Sequence, residues 1–302
     1  MIKLPIGVNV NDLIYDLKNF SWEAADILLT YSDIIKNSKN KFEILKNKNI
    51  NDPVTLADLK VNELIINRIN QKYPSVNWDI LSEENFKIKT NYCNRNADWL
   101  WVLDPLDGTK DFIQGTGNYA MHLALNYKGK PYIGIVLIPE KDELWISYLD
   151  KLWYEKRDGS FQKQNLSETN ILQEMTVVTS KNHRNEKLRN LIDKINFKKT
   201  ILMGSIGCKV ASIVRGESDI YISLSLPGKS SPKDWDFAAP ASLLKAFGGE
   251  ITNLNNQELS YNKTNFEQKG IIVATNNREI QNKICSELKE IIEKYDLYPI
   301  NI

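Results

Sequence analysis

The stretch Trp99-Leu100-Trp101-Val102-Leu103-Asp104-Pro105-Leu106-Asp107-Gly108-Thr109 decides the fold of this chain. Its five leading apolar residues make a run of strand length that stops abruptly at an acid, the pattern of a buried strand emptying into a loop. Two carboxylates then stand three residues apart. Pro105 fixes one backbone dihedral and Gly108 permits an unusual one, so a rigid turn with both acids pointing one way is expected. Hard cations such as Mg²⁺ take oxygen ligands and keep waters and substrate phosphates in their shell. Two of them, about 3.5–4 Å apart, can clamp an attacking and a leaving oxygen. A turn with two acids and a hydroxyl suits that chemistry; taken alone, it suits a solvated Asx-type turn equally well.

Other element ends also deliver acids. Ile80-Leu81-Ser82-Glu83-Glu84 is a second apolar strand end. Lys233-Asp234-Trp235-Asp236 leads into a helix predicted over residues 236–247, with Pro240 in its first turn and Gly248-Gly249 as its stop. Singly, Asp236 reads as a helix cap and Glu83-Glu84 as a solvated loop. Together, Glu83, Asp104, Asp107 and Asp236 read as a cation site.

The remaining pattern places these acids in a mixed α and β chain. Residues 9–36 carry helical spacing through Leu13, Leu17, Ala24 and Leu28. A Lys/Asn-rich stretch, 36–51, reads as a loop. A second helix is predicted from Thr55, with Thr55 and Asp58 as a capping pair and Ala57, Val61, Leu64, Ile65 and Ile69 on its apolar positions. Residues 119–127, 131–138 and 143–148 read as antiparallel strands around turns such as Lys128-Gly129-Lys130-Pro131. The polar segment 156–169 divides an N-terminal α+β lobe, 1–165, with most of the candidate ligands, from a C-terminal α/β lobe, 166–302. In the latter, strands at 175–179, 200–203 and 220–223 alternate with helices at 185–195 and 207–214.

Composition narrows the function classes. Lys and Arg number 39 against 38 Asp and Glu, too even a balance for a protein that coats a nucleic acid polymer. The three cysteines, Cys93, Cys208 and Cys285, are scattered and odd in number, which argues against a disulfide framework or zinc ribbon. No stretch approaches the roughly 20 apolar residues of a membrane span, and the first residues lack a secretion-signal pattern. A cytoplasmic protein is expected, with no membrane partner.

The segments Pro53-Val54-Thr55-Leu56-Ala57-Asp58, Ser82-Glu83-Glu84, Asp104-Pro105-Leu106-Asp107-Gly108-Thr109-Lys110-Asp111-Phe112 and Trp235-Asp236-Phe237-Ala238-Ala239-Pro240 resemble, in order and spacing, the inositol monophosphatase superfamily. The resemblance implies a layered αβαβα sandwich, two or three Mg²⁺ ions and lithium sensitivity. It implies that Glu83, Asp104 and the Leu106 carbonyl hold a first metal, and Asp104, Asp107 and Asp236 a second. Asp58 matches an acid near a third, weaker metal, and Thr109 with Glu83 matches the pair that activates the attacking water. Lys110 after the D-G-T motif, the Ser180–His183 element and the Gly204-Ser205-Ile206-Gly207-Cys208-Lys209 turn resemble the 3'(2'),5'-bisphosphate nucleotidase branch. In that branch Lys110, Ser180, His183, Ser205 and Lys209 would bind a small phosphorylated nucleotide, with the N-terminus of the helix opened by Ser205 as a second anion site. The implied activity is hydrolysis of 3'-phosphoadenosine 5'-phosphate to AMP by a monomer or homodimer. Two alternatives stand beside it: an inositol or fructose-1,6-bisphosphate phosphatase, and a non-catalytic nucleotide- or metal-binding protein.

Overall fold

The computed structural model describes residues 4–37, 56–87, 97–158, 160, 169–181, 185–261 and 265–299. The first half contributes α1 (Val10–Asn37), α2 (Leu56–Lys72), β1 (Asp79–Ser82), α3 (Glu83–Lys87), β2 (Trp99–Asp107), α4 (Thr109–Gln114), β3 (Ala120–Tyr127), β4 (Lys130–Ile138), β5 (Glu143–Tyr148) and β6 (Lys151–Glu155). The second half contributes β7 (Thr176–Ser180), α5 (Glu186–Ile195), β8 (Lys199–Met203), α6 (Ile206–Val214), β9 (Ile220–Ser225), α7 (Asp234–Phe247), β10 (Glu250–Asn253), β11 (Gly270–Thr275) and α8 (Arg278–Lys294). Strands β1 to β6 form one sheet in sequence order; the second sheet runs β10-β11-β9-β7-β8. Among the described residues no helix is long and apolar enough to cross a membrane.

The alternation of side chains along β3 explains the layering. Met121, Leu123 and Leu125 face a core shared with Leu13, Leu17 and Leu28 of α1 and Val61 and Ile65 of α2. Ala120 and Ala124, on the opposite face, join Val210 and Ile213 of α6, Phe237 and Leu243 of α7, and Tyr221 and Ile272 of the second sheet. The far face of that sheet packs Ile222 and Val273 against Leu191 of α5 and Leu288 of α8. The result is five layers: α1 and α2, first sheet, α6 and α7, second sheet, α5 and α8.

Small residues bring the middle layer close to the first sheet. At Gly134 in β4, an added Cβ would come within 2.6 Å of the Ser242 Cβ and 2.8 Å of the Ala239 carbonyl, both on α7. Ser147 of β5 donates a hydrogen bond to Ser242 across the same contact, at 2.8 Å.

Two differences from the sequence reading bear on the site. β2 does not end at Leu103 but runs to Asp107, with a bulge between Asp104 and Asp107. α7 begins at Asp234, two residues before the expected start, so Pro240 lies in the helix interior and not in its first turn. There, proline's missing N–H removes one helical hydrogen bond. The expected capping residue Thr55 and most of the expected 36–51 loop lie outside the described residues, as do His183, Cys93 and most of the 156–169 segment. Gly248, at φ 109°, ends α7 as its position in the sequence predicts.

Candidate metal centre

The bulge in β2 makes the site. Residues three apart on a regular strand point to opposite faces. Here Asp104 pairs with His122 and Asp107 with Ala120, so three steps on β2 match two on β3. The extra residue turns both carboxylates to the middle layer, while Leu103 and Leu106 stay in the outer core. Pro105, which cannot donate to a ladder, sits within the irregularity, where strand prolines are tolerated. At Gly108 the backbone has φ 89°, and an added Cβ would come within 2.9 Å of the Asn118 carbonyl. Glycine therefore lets β2 turn directly into α4.

The first turn of α7 delivers the third acid. Its Asp236 carboxylate accepts from the Lys233 N–H, as a cap does, and at the same time faces the bulge. Among the described residues, Asp104, Asp107 and Asp236 each offer an oxygen within 4.8 Å of the others. At that distance, two like charges repel by roughly 3–4 kcal/mol with an effective dielectric of about 20. This is several times the thermal energy, so the cluster cannot stay fully ionised without a compensating cation. Burial, followed by the charges of Glu83 and Asp107, holds the Asp104 carboxyl well above the usual carboxylate range. Burial and the charges of Asp107 and Glu83 do the same to Asp236, against the Lys233 N–H and the Lys209 ammonium. An all-oxygen, partly buried, mutually repelling donor set fits a hard divalent ion.

Glu83 opens α3 beside this group. Burial raises its pKa, offset mainly by Lys87 one turn on, whose Nζ lies 2.9 Å from Glu83 Oε1 and 2.9 Å from Glu84 Oε1. Asp58, in the first turn of α2, is buried and contributes to the charge felt at Asp104. The Thr109 hydroxyl, at the start of α4, donates to the Leu106 carbonyl at 3.2 Å. Asp58, Glu83, Asp104, Leu106, Asp107, Thr109 and Asp236, all singled out in the sequence, thus come from four elements of the first half and one of the second.

The proposed substrate residues divide. The C-terminal ends of the parallel strands β7, β8 and β9 lie side by side, and the crossovers α5 and α6 pack on opposite faces of their sheet. Such a switch point is where open α/β sheets bind ligands. Ser180 ends β7 opposite Met203 of β8. The adjoining Lys181 reaches α4, donating to the Gln114 side chain at 2.7 Å, and lies 3.8 Å from Asp111. Lys110 lies partly buried in the first turn of α4.

The first turn of α6 is not an open anion site. Its Ile206 and Gly207 N–H groups and the Ser205 hydroxyl, at 2.7 Å, all donate to Asp107 Oδ2. The carboxylate takes the place foreseen for a substrate phosphate because the bulge delivers it to the helix N-terminus. Lys209 is 1 % exposed, neither a surface residue nor an outward-reaching one. Its Nζ donates to the Gly204 carbonyl at 2.7 Å and lies 5.3 Å from the Tyr221 ring centre. Burial lowers its pKa, against the nearby Asp107 charge.

Two residues of this neighbourhood were not singled out in the sequence. His122 is fully buried with Nε2 3.4 Å from Asp107 Oδ2, and burial lowers its pKa. Lys87 was signalled only by its spacing of four from Glu83 on a segment too short to read as a helix.

Known proteins agree with this architecture. The suhB protein of Bartonella henselae superposes with a TM-score of 0.72 at 19% identity, covering 94% of this chain and 99% of that one. The inositol monophosphatase of Anabaena (Nostoc) sp. PCC 7120 does so with 0.70 at 21%, covering 97% and 98%. At these identities the likeness concerns the fold. In sequence, the 3'(2'),5'-bisphosphate nucleotidase CysQ of Buchnera aphidicola is 32% identical over 227 residues, 74% of this chain and 80% of that protein. CysQ of Escherichia coli K12 is 27% identical over 214 residues, 70% and 80% of the respective chains. The profile of the inositol monophosphatase family matches residues 13–293, and with the acids of its motifs gathered at one bulged strand end, this chain belongs to that family.

Proposed function

We propose that the protein is a Mg²⁺-dependent phosphomonoesterase that removes the 3'-phosphate of 3'-phosphoadenosine 5'-phosphate, giving AMP and phosphate. The observation that carries the phosphatase reading is the convergence of Asp104, Asp107 and Asp236 within 4.8 Å. Two relatives named as 3'(2'),5'-bisphosphate nucleotidases, aligned over 70% or more of this chain, support the nucleotide as substrate.

In this reading Glu83, Asp104 and the Leu106 carbonyl hold one divalent ion, and Asp104, Asp107 and Asp236 another; Asp58 stands by for a weaker third. The bound ions supply positive charge to the phosphate oxygens and acidify a coordinated water. The chain's own part is orientation and proton handling. The Thr109 hydroxyl, already held by the Leu106 carbonyl, and the Glu83 carboxylate orient the attacking water and accept its proton. Lys110 and Ser180 hold the nucleotide beside the switch point, His183 contacts it as its motif implies, and Ser205 and Lys209 support that wall from within, through Asp107 and Gly204 respectively. Binding energy from the part of the nucleotide away from the reacting phosphate then orients it at the acids.

The test is phosphate release from 3'-phosphoadenosine 5'-phosphate, inositol 1-phosphate and fructose 1,6-bisphosphate under one set of conditions. The nucleotide is expected to give the highest kcat/KM. A preference for either sugar ester removes the nucleotide reading and leaves the phosphatase; inertness towards all three removes both.

A further inference from the structure

Asp107 is gripped through one oxygen. Ser205, Ile206 and Gly207 all reach its Oδ2 from α6. From the other side the same oxygen is faced by His122 Nε2, at 3.4 Å, carried on β3. The imidazole has little room to be elsewhere. It is fully buried, and an added Cβ on Gly207 would come within 2.2 Å of its Nε2, so the first turn of α6 closes directly on the ring. Among the described residues neither ring nitrogen meets strict hydrogen-bond geometry with a partner, and the groups that act on the ring as acceptors are the Asp107 carboxylate and the Trp235 backbone; a buried polar ring held this way calls for a cause. A neutral imidazole carries one N–H; of the two acceptors, Asp107 and the Trp235 backbone, the charged carboxylate in front of Nε2 is the stronger and draws the proton there.

We propose that His122 is a positioning residue for Asp107. With donors on the α6 side only, the carboxylate can swing away from the helix towards β3. The Nε2–H of His122, with Nε2 3.4 Å from Oδ2 and short of full hydrogen-bond geometry, closes that side by its contact and its dipole. Oδ2 is then fixed between strand and helix, which would set the direction in which the carboxylate meets a cation shared with Asp104 and Asp236. Groups that orient metal ligands in this way typically govern metal affinity by 10–100-fold. The inference rests on the reading of Asp107 as a metal ligand.

The experiment measures Mn²⁺ binding to the full chain by isothermal titration calorimetry without substrate, alongside unfolding temperature in chelator. His122→Leu fills the space but has no donor; His122→Gln keeps an N–H donor. The expected result is Mn²⁺ affinity about tenfold or more weaker in His122→Leu, with His122→Gln close to wild type. The half-saturating Mg²⁺ concentration for activity rises in parallel, with kcat at saturating Mg²⁺ largely kept. Lowered stability in chelator with unchanged Mn²⁺ affinity in His122→Leu marks a packing role and overturns the proposal. If His122→Leu does not fold, His122→Ser, too short to reach Oδ2, takes its place with the same expectations. Absence of Mn²⁺ binding by the wild type overturns the metal reading itself, an outcome distinct from equal binding by wild type and variant.

Discussion

At the scale of single residues, the proposed mechanism gives Asp104 a purely charge-holding part and Thr109 a purely proton-handling one. Asp104 is the acid on which the repulsions of Glu83, Asp107, Asp236 and Asp58 converge. Asp104→Asn removes a charge and leaves a weaker ligand. The chelated variant should unfold at a temperature no lower than wild type, because repulsion is relieved, while activity at ordinary Mg²⁺ should be almost wholly lost. Circular dichroism melts and phosphate release check the two halves of that expectation, and a folded Asp104→Asn protein with substantial turnover removes Asp104 from the ligand set. Thr109→Val keeps shape and deletes the hydroxyl that now meets the Leu106 carbonyl. Turnover should fall by about 10²–10⁴, the ordinary range for lost proton-transfer assistance, with KM little changed; a raised KM at normal kcat makes Thr109 a substrate-holding residue instead.

Among the elements, β2 and α7 decide whether the acids meet, and they differ in how plainly the sequence announces them. The apolar run from Trp99 to Leu103 and the acid after it were legible because a strand's end is written in its own residues. The bulge was not, since a two-residue period assigns Asp104 and Asp107 to opposite faces and only the pairing with β3 restores them to one. His122 escaped notice for the same reason: its neighbours are set by β3 pairing with β2 and by α6 closing over both. Lys209 was misplaced because a lysine in a helix's first turn is ordinarily wet, and no local signal tells that α6 lies between two sheets. β10, β11 and α8, past the last motif, were not read at all. The approach of α7 to β4 gives a test at this scale. Gly134→Ala would thrust a methyl against Ser242 and the Ala239 carbonyl, backbone that yields only if α7 moves. Urea unfolding should show a loss of about 1–3 kcal/mol, as overpacking does, and activity should fall because Asp236 rides on the displaced helix. Unchanged stability would mean the layers have slack that the contact distances deny.

For the whole molecule, the raised carboxyls make stability depend on pH and cation together. Asp104, Asp236 and Glu83 have folded-state pKa values above their ordinary ones. The folded chelated protein therefore binds more protons than the unfolded chain, and its stability falls as pH rises from the unfolded carboxylate value of about 4 towards the raised values. Divalent cations held by the deprotonated acids, as proposed, would remove the penalty. The difference in melting temperature between Mg²⁺-loaded and chelated protein should thus widen from pH 5 to pH 8. Taking the difference cancels ionisations away from the site, and a gap that stays constant or narrows contradicts the charge account of the cluster.

The middle layer also has a history in time. Val102, Ala124, Val136 and Trp145 of the first sheet are covered by a helix that includes Asp236, and Asp236 follows Asp104 by 132 positions. During synthesis, that apolar face waits uncovered until the later helix emerges. Closing a loop of this span costs roughly 4 kcal/mol from its length alone by the (3/2)RT ln n rule, so the ligand set is completed late. Ions that bind only the completed set cannot hasten its closure but can hold its product. Stopped-flow refolding should be indifferent to Mg²⁺, whereas unfolding should slow as Mg²⁺ is raised; the cation acts as a latch on an assembly that the chain must first close unaided.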